Sequence, residues 1–141
     1  MYKSQITNHK LQINSNIETP IIKNRNNNKY DLEERTYQFT KKISLFCRKL
    51  PTTIDNVEHS KQLIRSSGSV GANYIEANES LSKADFAMRI KICRKEAKES
   101  VYWLRLLLDT NSEDFTQEGE LLQKEGIELK KILSSIINKA I

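Results

Sequence analysis

An all-α protein, an antiparallel up-down four-helix bundle behind a disordered or weakly structured N-terminal tail, is what this sequence predicts, on three observations. Only four glycines and two prolines occur in 141 residues rich in Leu, Ile, Lys and Glu, which favours long helices over strands and turns. Four windows repeat apolar residues at the three-to-four spacing of a helix face. The breaks between them are short and polar, as adjacent antiparallel helices require.

Residues 1–29 are rich in Asn, Lys, Ile and Ser, end in the run NRNNNK and hold no sustained helical or strand period, so they read as a basic, Asn-rich tail. Ile6, Leu11, Ile13, Ile17, Ile21 and Ile22 leave open a short strand or a docking segment. The bundle domain then occupies residues 30–141. Asp31 with Glu34 three residues on has capping-box spacing and starts the first helix near Leu32, with Phe39, Ile43, Phe46 and Leu50 inward and Pro51 closing it.

Asp55 with Glu58 gives a second capping spacing, and helix two runs from about Ile54 to Ser80. Leu63, Ile64, Val70, Tyr74 and Ala77 mark its apolar face, while Ser66, Ser67, Gly68, Ser69, Gly71 and Ala72 leave its middle thin. Each glycine lowers helix propensity by up to about 1 kcal/mol relative to Ala, so closely packed partners must offset the loss. That places this helix at a packed seam, within the chain or between copies of it.

Ser82 with Asp85 restarts the pattern, and residues 86–108 divide into three stripes at 3.6 residues per turn. Phe86, Ile90, Cys93, Ala97, Val101, Leu104 and Leu108 form the core stripe. Ile92, Glu96, Glu99 and Trp103 mix carboxylates with apolar groups, as a helix does where it meets another helix or another subunit. Lys91, Arg94, Lys95, Lys98 and Arg105, with Tyr102 interleaved, form a basic stripe. After a polar break over residues 109–114, a last helix from about Gln117 to Ala140 carries Leu121, Leu122, Leu129, Ile132, Leu133, Ile136 and Ile137.

Arg65-Ser66-Ser67, Ser69-Val70-Gly71-Ala72-Asn73, Glu76-Ala77, Lys95-Glu96-Ala97, Glu99 and Tyr102-Trp103-Leu104 occur in the order and spacing of a small bacterial family of four-helix bundle proteins. Over about Tyr30 to Lys139 the chain resembles these proteins, which are named for intervening sequences in 23S ribosomal RNA genes. The family has no settled biochemical activity. The resemblance implies a homo-oligomer, a pentameric ring, and a fold similar to the accessory protein of diversity-generating retroelements, which binds RNA and a reverse transcriptase. By that likeness RNA or a reverse-transcriptase-like protein is the expected partner. Arg65, Ser67, Gly68, Gly71, Asn73, Glu76, Glu99 and Trp103 then belong to a helix or subunit interface, and the outward basic residues to the RNA-facing set.

Catalytic chemistry finds no footing in the residues. His9 lies in the tail and His59 stands alone on helix two, so no metal constellation forms. The Glu-x-x-His pairs of di-iron bundles are absent, and Glu76, Glu96 and Glu99 read instead as partners for cations such as Arg65. Cys47 and Cys93 lack CxxC spacing and fall on apolar faces, as buried small hydrophobes do. Residues 66–72 have neither the Gly-Lys-Ser/Thr nor the strand of a phosphate-binding loop. No catalytic residue, metal, cofactor or small-molecule substrate is therefore assigned. Reduced cysteines, no apolar leader run and no spanning window are read as a cytoplasmic protein without membrane contact.

The formal charge is +5, but residues 1–30 contribute Lys3, Lys10, Lys23, Arg25 and Lys29 against Glu18, a net +4, which leaves +1 for residues 31–141. Polyanion affinity must then come from the tail or from local patches. The basic stripe has two readings. Outward Lys and Arg commonly do no more than keep a helix solvated. A row of cations repeating each turn can also follow phosphates, with Tyr102 or Trp103 offering a stacking face. A non-enzymatic RNA-binding oligomer is the first function this supports; a structural or protein-partner scaffold with no nucleic-acid contact is the alternative.

Overall fold

Four long helices follow one another in the computed structural model, which describes residues 20–140: α1 (Pro20–Lys49), α2 (Ile54–Asn78), α3 (Lys83–Asp109) and α4 (Thr116–Ala140), the last entered through a short 3-10 turn, Glu113–Phe115. No strand occurs among the described residues. The chain divides into two parts, Met1–Leu32 and Glu33–Ile141. The described portion of the first is the opening of α1; the second holds the four-helix bundle.

The start of α1 corrects the sequence reading. Asp31 and Glu34 lie inside the helix, which opens upstream at Pro20, a residue suited to a first helical position because its missing N–H has no intrahelical acceptor there. Of the tail expected over residues 1–29, residues 1–19, His9 among them, lie outside the described ones. The cap of α2 is corrected as well. Thr53, not Asp55, accepts the Asn56 N–H on its Oγ1 at 3.2 Å, and Asp55 falls in the first turn. For α3 the cap is Ser82, whose Oγ accepts the Asp85 N–H at 3.1 Å.

The core is built from one stripe of each helix: Phe39, Ile43 and Phe46; Leu63, Val70 and Tyr74; Ile90, Ala97, Leu104 and Leu107; Leu122, Leu129, Leu133 and Ile137. Helix α3 is turned slightly toward α2 from its expected setting. Leu107, Glu96 and Ser100 are buried, while Phe86, Val101 and Leu108 are only half-buried. Ile64 and Leu121, expected inward, are exposed.

Hydroxyls and glycines set how close the helices come. On α2, Ser67 Oγ lies 3.0 Å from Thr40 Oγ1 of α1, and Ser66 Oγ lies 2.9 Å from Ser100 Oγ of α3, so one thin helix is joined to both neighbours. Each hydroxyl of these pairs except Thr40 also reaches a carbonyl of its own helix, as at Ser66 to Leu63 and Ser100 to Glu96, which keeps buried polar atoms satisfied. Helix α4 closes the ring. Arg35 of α1 makes a bidentate pair with Glu125 at 2.7 and 2.8 Å, and Phe46 meets Phe115 edge to face. At one end, buried Asn56 and half-buried Asn111 exchange amide hydrogen bonds of 2.8 Å in both directions and so tie the start of α2 to the α3–α4 turn.

A Cβ on Gly68 would meet only Thr40 Oγ1 at 3.7 Å, and on Gly71 it would meet Thr36 Oγ1 at 3.0 Å. The α4 glycines are tighter. A Cβ on Gly126 would lie 2.7 Å from Val101 Cγ2 and 3.3 Å from the Phe39 ring, and a β-branched side chain cannot swing away. Gly68→Ala should therefore stabilise by about 0.5–1 kcal/mol through helix propensity, Gly126→Ala should destabilise by about 1–3 kcal/mol through overpacking, and Gly71→Leu should be worse than Gly71→Ala. Urea midpoints of the variants check the order.

Candidate nucleic-acid interface

Helix α3 faces three ways, and its buried side fixes the other two. With Ile90, Ala97 and Leu104 in the core, Lys91, Lys95, Lys98, Tyr102 and Arg105 fall on the opposite side, at spacings of four, three, four and three residues, and all five are exposed. Arg94 flanks the row and is half-buried. From Lys91 to Arg105 the row is about 21 Å long at 1.5 Å per residue. Among the described residues neither its four cations nor Arg94 forms an ion pair.

The carboxylates of α3 are engaged elsewhere. Arg65 of α2 crosses the seam and donates through Nη1 to Glu96 Oε2 at 3.2 Å, through Nη2 to Glu99, and through Nε to Gln62 at 3.4 Å. Glu96 is only 7% exposed. Glu99 also accepts the indole Nε1–H of Trp103 at 3.1 Å. The Trp103 ring stacks on His59 of α2, centroids 5.7 Å apart, and meets Tyr102 edge to face at 4.9 Å. Burial pushes the Glu99 carboxyl up, but hydrogen bonds from Trp103 and Arg65, with the charge of Arg65, outweigh it and hold Glu99 below the ordinary carboxylate range. The same two carboxylates raise the Arg65 guanidinium.

The interface residues expected from the sequence divide between two seams. Ser67, Gly68 and Gly71 face α1; Arg65, Glu99 and Trp103 join α2 to α3, where the Asn73 Oδ1 also accepts from Arg89 Nη1 at 3.4 Å. Glu76 is exposed on the outer side of α2. His59, read from sequence as a solitary polar residue, proves to cover Trp103; nothing in the spacing announces a contact between antiparallel helices. Neither thiol is activated by its surroundings. Burial pushes Cys93 up to about 12, and it raises half-buried Cys47 against a smaller opposing effect of the Ser60 hydroxyl. No three His, Cys, Asp or Glu side chains converge as a metal site among the described residues, and no helix there is long and apolar enough to cross a membrane.

Against known proteins, the family model for the 23S rRNA-intervening sequence protein matches residues 28–135. Among solved structures the chain is similar to a protein of unknown function from the S23 ribosomal protein family of Bacteroides thetaiotaomicron, at 33% identity and a TM-score of 0.67, over 75% of this chain and 97% of that one. No curated protein matches.

The Glu99 shift carries a pH dependence. A carboxyl whose folded pKa lies below its unfolded value contributes stability that is present above the ordinary range near 4.3 and lost as pH falls through the lower folded value. Glu99→Gln should cost about 0.5–1 kcal/mol at pH 7, a size set by the partial exposure of the pair, and the gap from wild type should close below about pH 4. Urea unfolding of both proteins between those limits measures it; a gap that stays constant with pH is the contrary result.

Proposed function

The chain belongs to the 23S rRNA-intervening sequence protein family, and from that premise we propose that it is a non-enzymatic, homo-oligomeric RNA-binding protein that holds RNA by its phosphates along the outer face of α3. One observation carries the reading: Lys91, Arg94, Lys95, Lys98 and Arg105 share one side of α3 without an ion pair among the described residues. The net charge of residues 31–141 is only +1, and the carboxylates nearest the row, Glu96 and Glu99, are held by Arg65 on the α2 side and not by the row itself. Any affinity for a polyanion therefore rests on this local row and not on the total charge. Flexible cations on one ridge suit phosphate contacts, which position a nucleic acid without reading its bases.

Self-assembly rests on the outer edge of α2, where Val57, Ile64 and Ile75 recur at helical spacing and Ile64 and Ile75 are 42% and 52% exposed. A copy of the same chain is the proposed occupant of this apolar edge. Five copies is the number that likeness to the family implies.

Two measurements test the proposal. For a single strand, log affinity should fall with log salt by about 0.7 per neutralised phosphate, so Lys95→Gln with Lys98→Gln should reduce the slope by about 1.4. No binding at low salt, or an unchanged slope, would mean that α3 presents a solvated face and that the protein serves as a protein-partner scaffold. Light scattering should give several times the 16.4 kDa of one chain. A single-chain mass at micromolar concentration would remove the assembly half.

A further inference from the structure

On the RNA-binding reading above, we infer that Tyr102 is a stacking platform for one unpaired base, held in place by an Arg65–Glu99–Trp103–His59 brace, so that the face of α3 takes single-stranded RNA in preference to duplex. Tyr102 interrupts the cationic row one turn after Lys98 and one turn before Arg105, at the position where the pattern elsewhere carries a lysine. It is 59% exposed, and its hydroxyl makes no hydrogen bond to any described residue, so the ring is not there to satisfy the bundle.

Its neighbour cannot take that part. Trp103 is half-buried, gives its indole N–H to Glu99 and stacks on His59, so its polar edge is engaged and His59 occupies one of its faces. What Trp103 does offer is a fixed surface against which Tyr102 rests at 4.9 Å and 82°. The brace continues to Arg65, which is held in turn by the nearly buried Glu96. A ring supported in this way loses less rotamer freedom when a base settles on it.

Cations one turn away on either side, about 6 Å and 4.5 Å along the axis, flank the ring where a strand threading past would carry its adjacent phosphates. Every base has a π-face, so such a platform binds any unpaired base with little sequence preference. In a duplex the faces are already stacked, and the same ridge then has only phosphates to hold. Arg65 touches no RNA in this scheme; it is a positioning residue.

The test compares fluorescence anisotropy on an oligouridylate of about 12 nucleotides with that on an RNA duplex of equal length, at one salt concentration. In Tyr102→Ala the ratio of single-strand to duplex affinity should fall about 5- to 150-fold, the factor equivalent to the stacking of one base. Tyr102→Phe should keep the wild-type ratio, because the ring and not the hydroxyl does the stacking. Arg65→Met should lower the ratio by a smaller factor. A ratio unmoved by Tyr102→Ala overturns the platform while leaving the salt-slope result, and hence the RNA reading, intact. An Arg65→Met ratio equal to that of the wild type overturns the brace. Wild-type protein that binds neither RNA overturns the RNA reading itself, and the platform with it.

Discussion

The thinness of α2 is the constraint on which the rest of the bundle depends. Serines at 66 and 67 and glycines at 68 and 71 let α1 and α3 approach the same helix, and hydroxyl pairs replace the apolar contacts that larger side chains would make. Close approach on the α3 side explains why that helix turns Glu96 and Ser100 toward α2 and takes Leu107 rather than Leu108 into the core. The same small rotation carries Lys95, Lys98 and Tyr102 to the side directly away from the bundle. Core geometry and the exposure of the candidate RNA face are in this sense one fact.

Charge follows from pairing more than from composition. Arg35 engages Glu125, Lys49 engages Glu118 and Arg65 takes both Glu96 and Glu99, so the bundle spends cations of α1 and α2 on carboxylates of α3 and α4. Surface pairs of this kind add little stability singly. Their effect here is on the pattern left over, in which the cations of the α3 row stay without a counter-ion among the described residues.

Much of this was legible in the chain. Phe39, Ile43, Phe46, Leu63, Val70 and Tyr74 announced their burial by spacing alone, and Ser82–Asp85 announced a cap, because both signals are local. The misreadings share a cause. Asp31 has the side chain of a cap, but nothing in the Asn- and Lys-rich run before it obliges a helix to stop; Thr53 takes the cap from Asp55, a choice between positions only two residues apart. Gly119 and Gly126 carry no signal in the sequence, because a glycine in a helix looks like a defect until Leu108, Val101 and Phe39 are seen against it. His59 over Trp103 belongs to the same class: it depends on two helices meeting, and a single sequence has no local signal for that.

The exchanged amides of Asn56 and Asn111 join residues 55 positions apart, and the two belong to different helical hairpins, α1–α2 and α3–α4. Removing Asn111 strands the Asn56 amide in a buried setting, so the α3–α4 turn cannot loosen at that end alone without exposing the loss. The pair therefore acts on the statistics of unfolding as much as on its depth. It disfavours the half-open species in which one hairpin persists while the other melts, and so couples the two hairpins at that end.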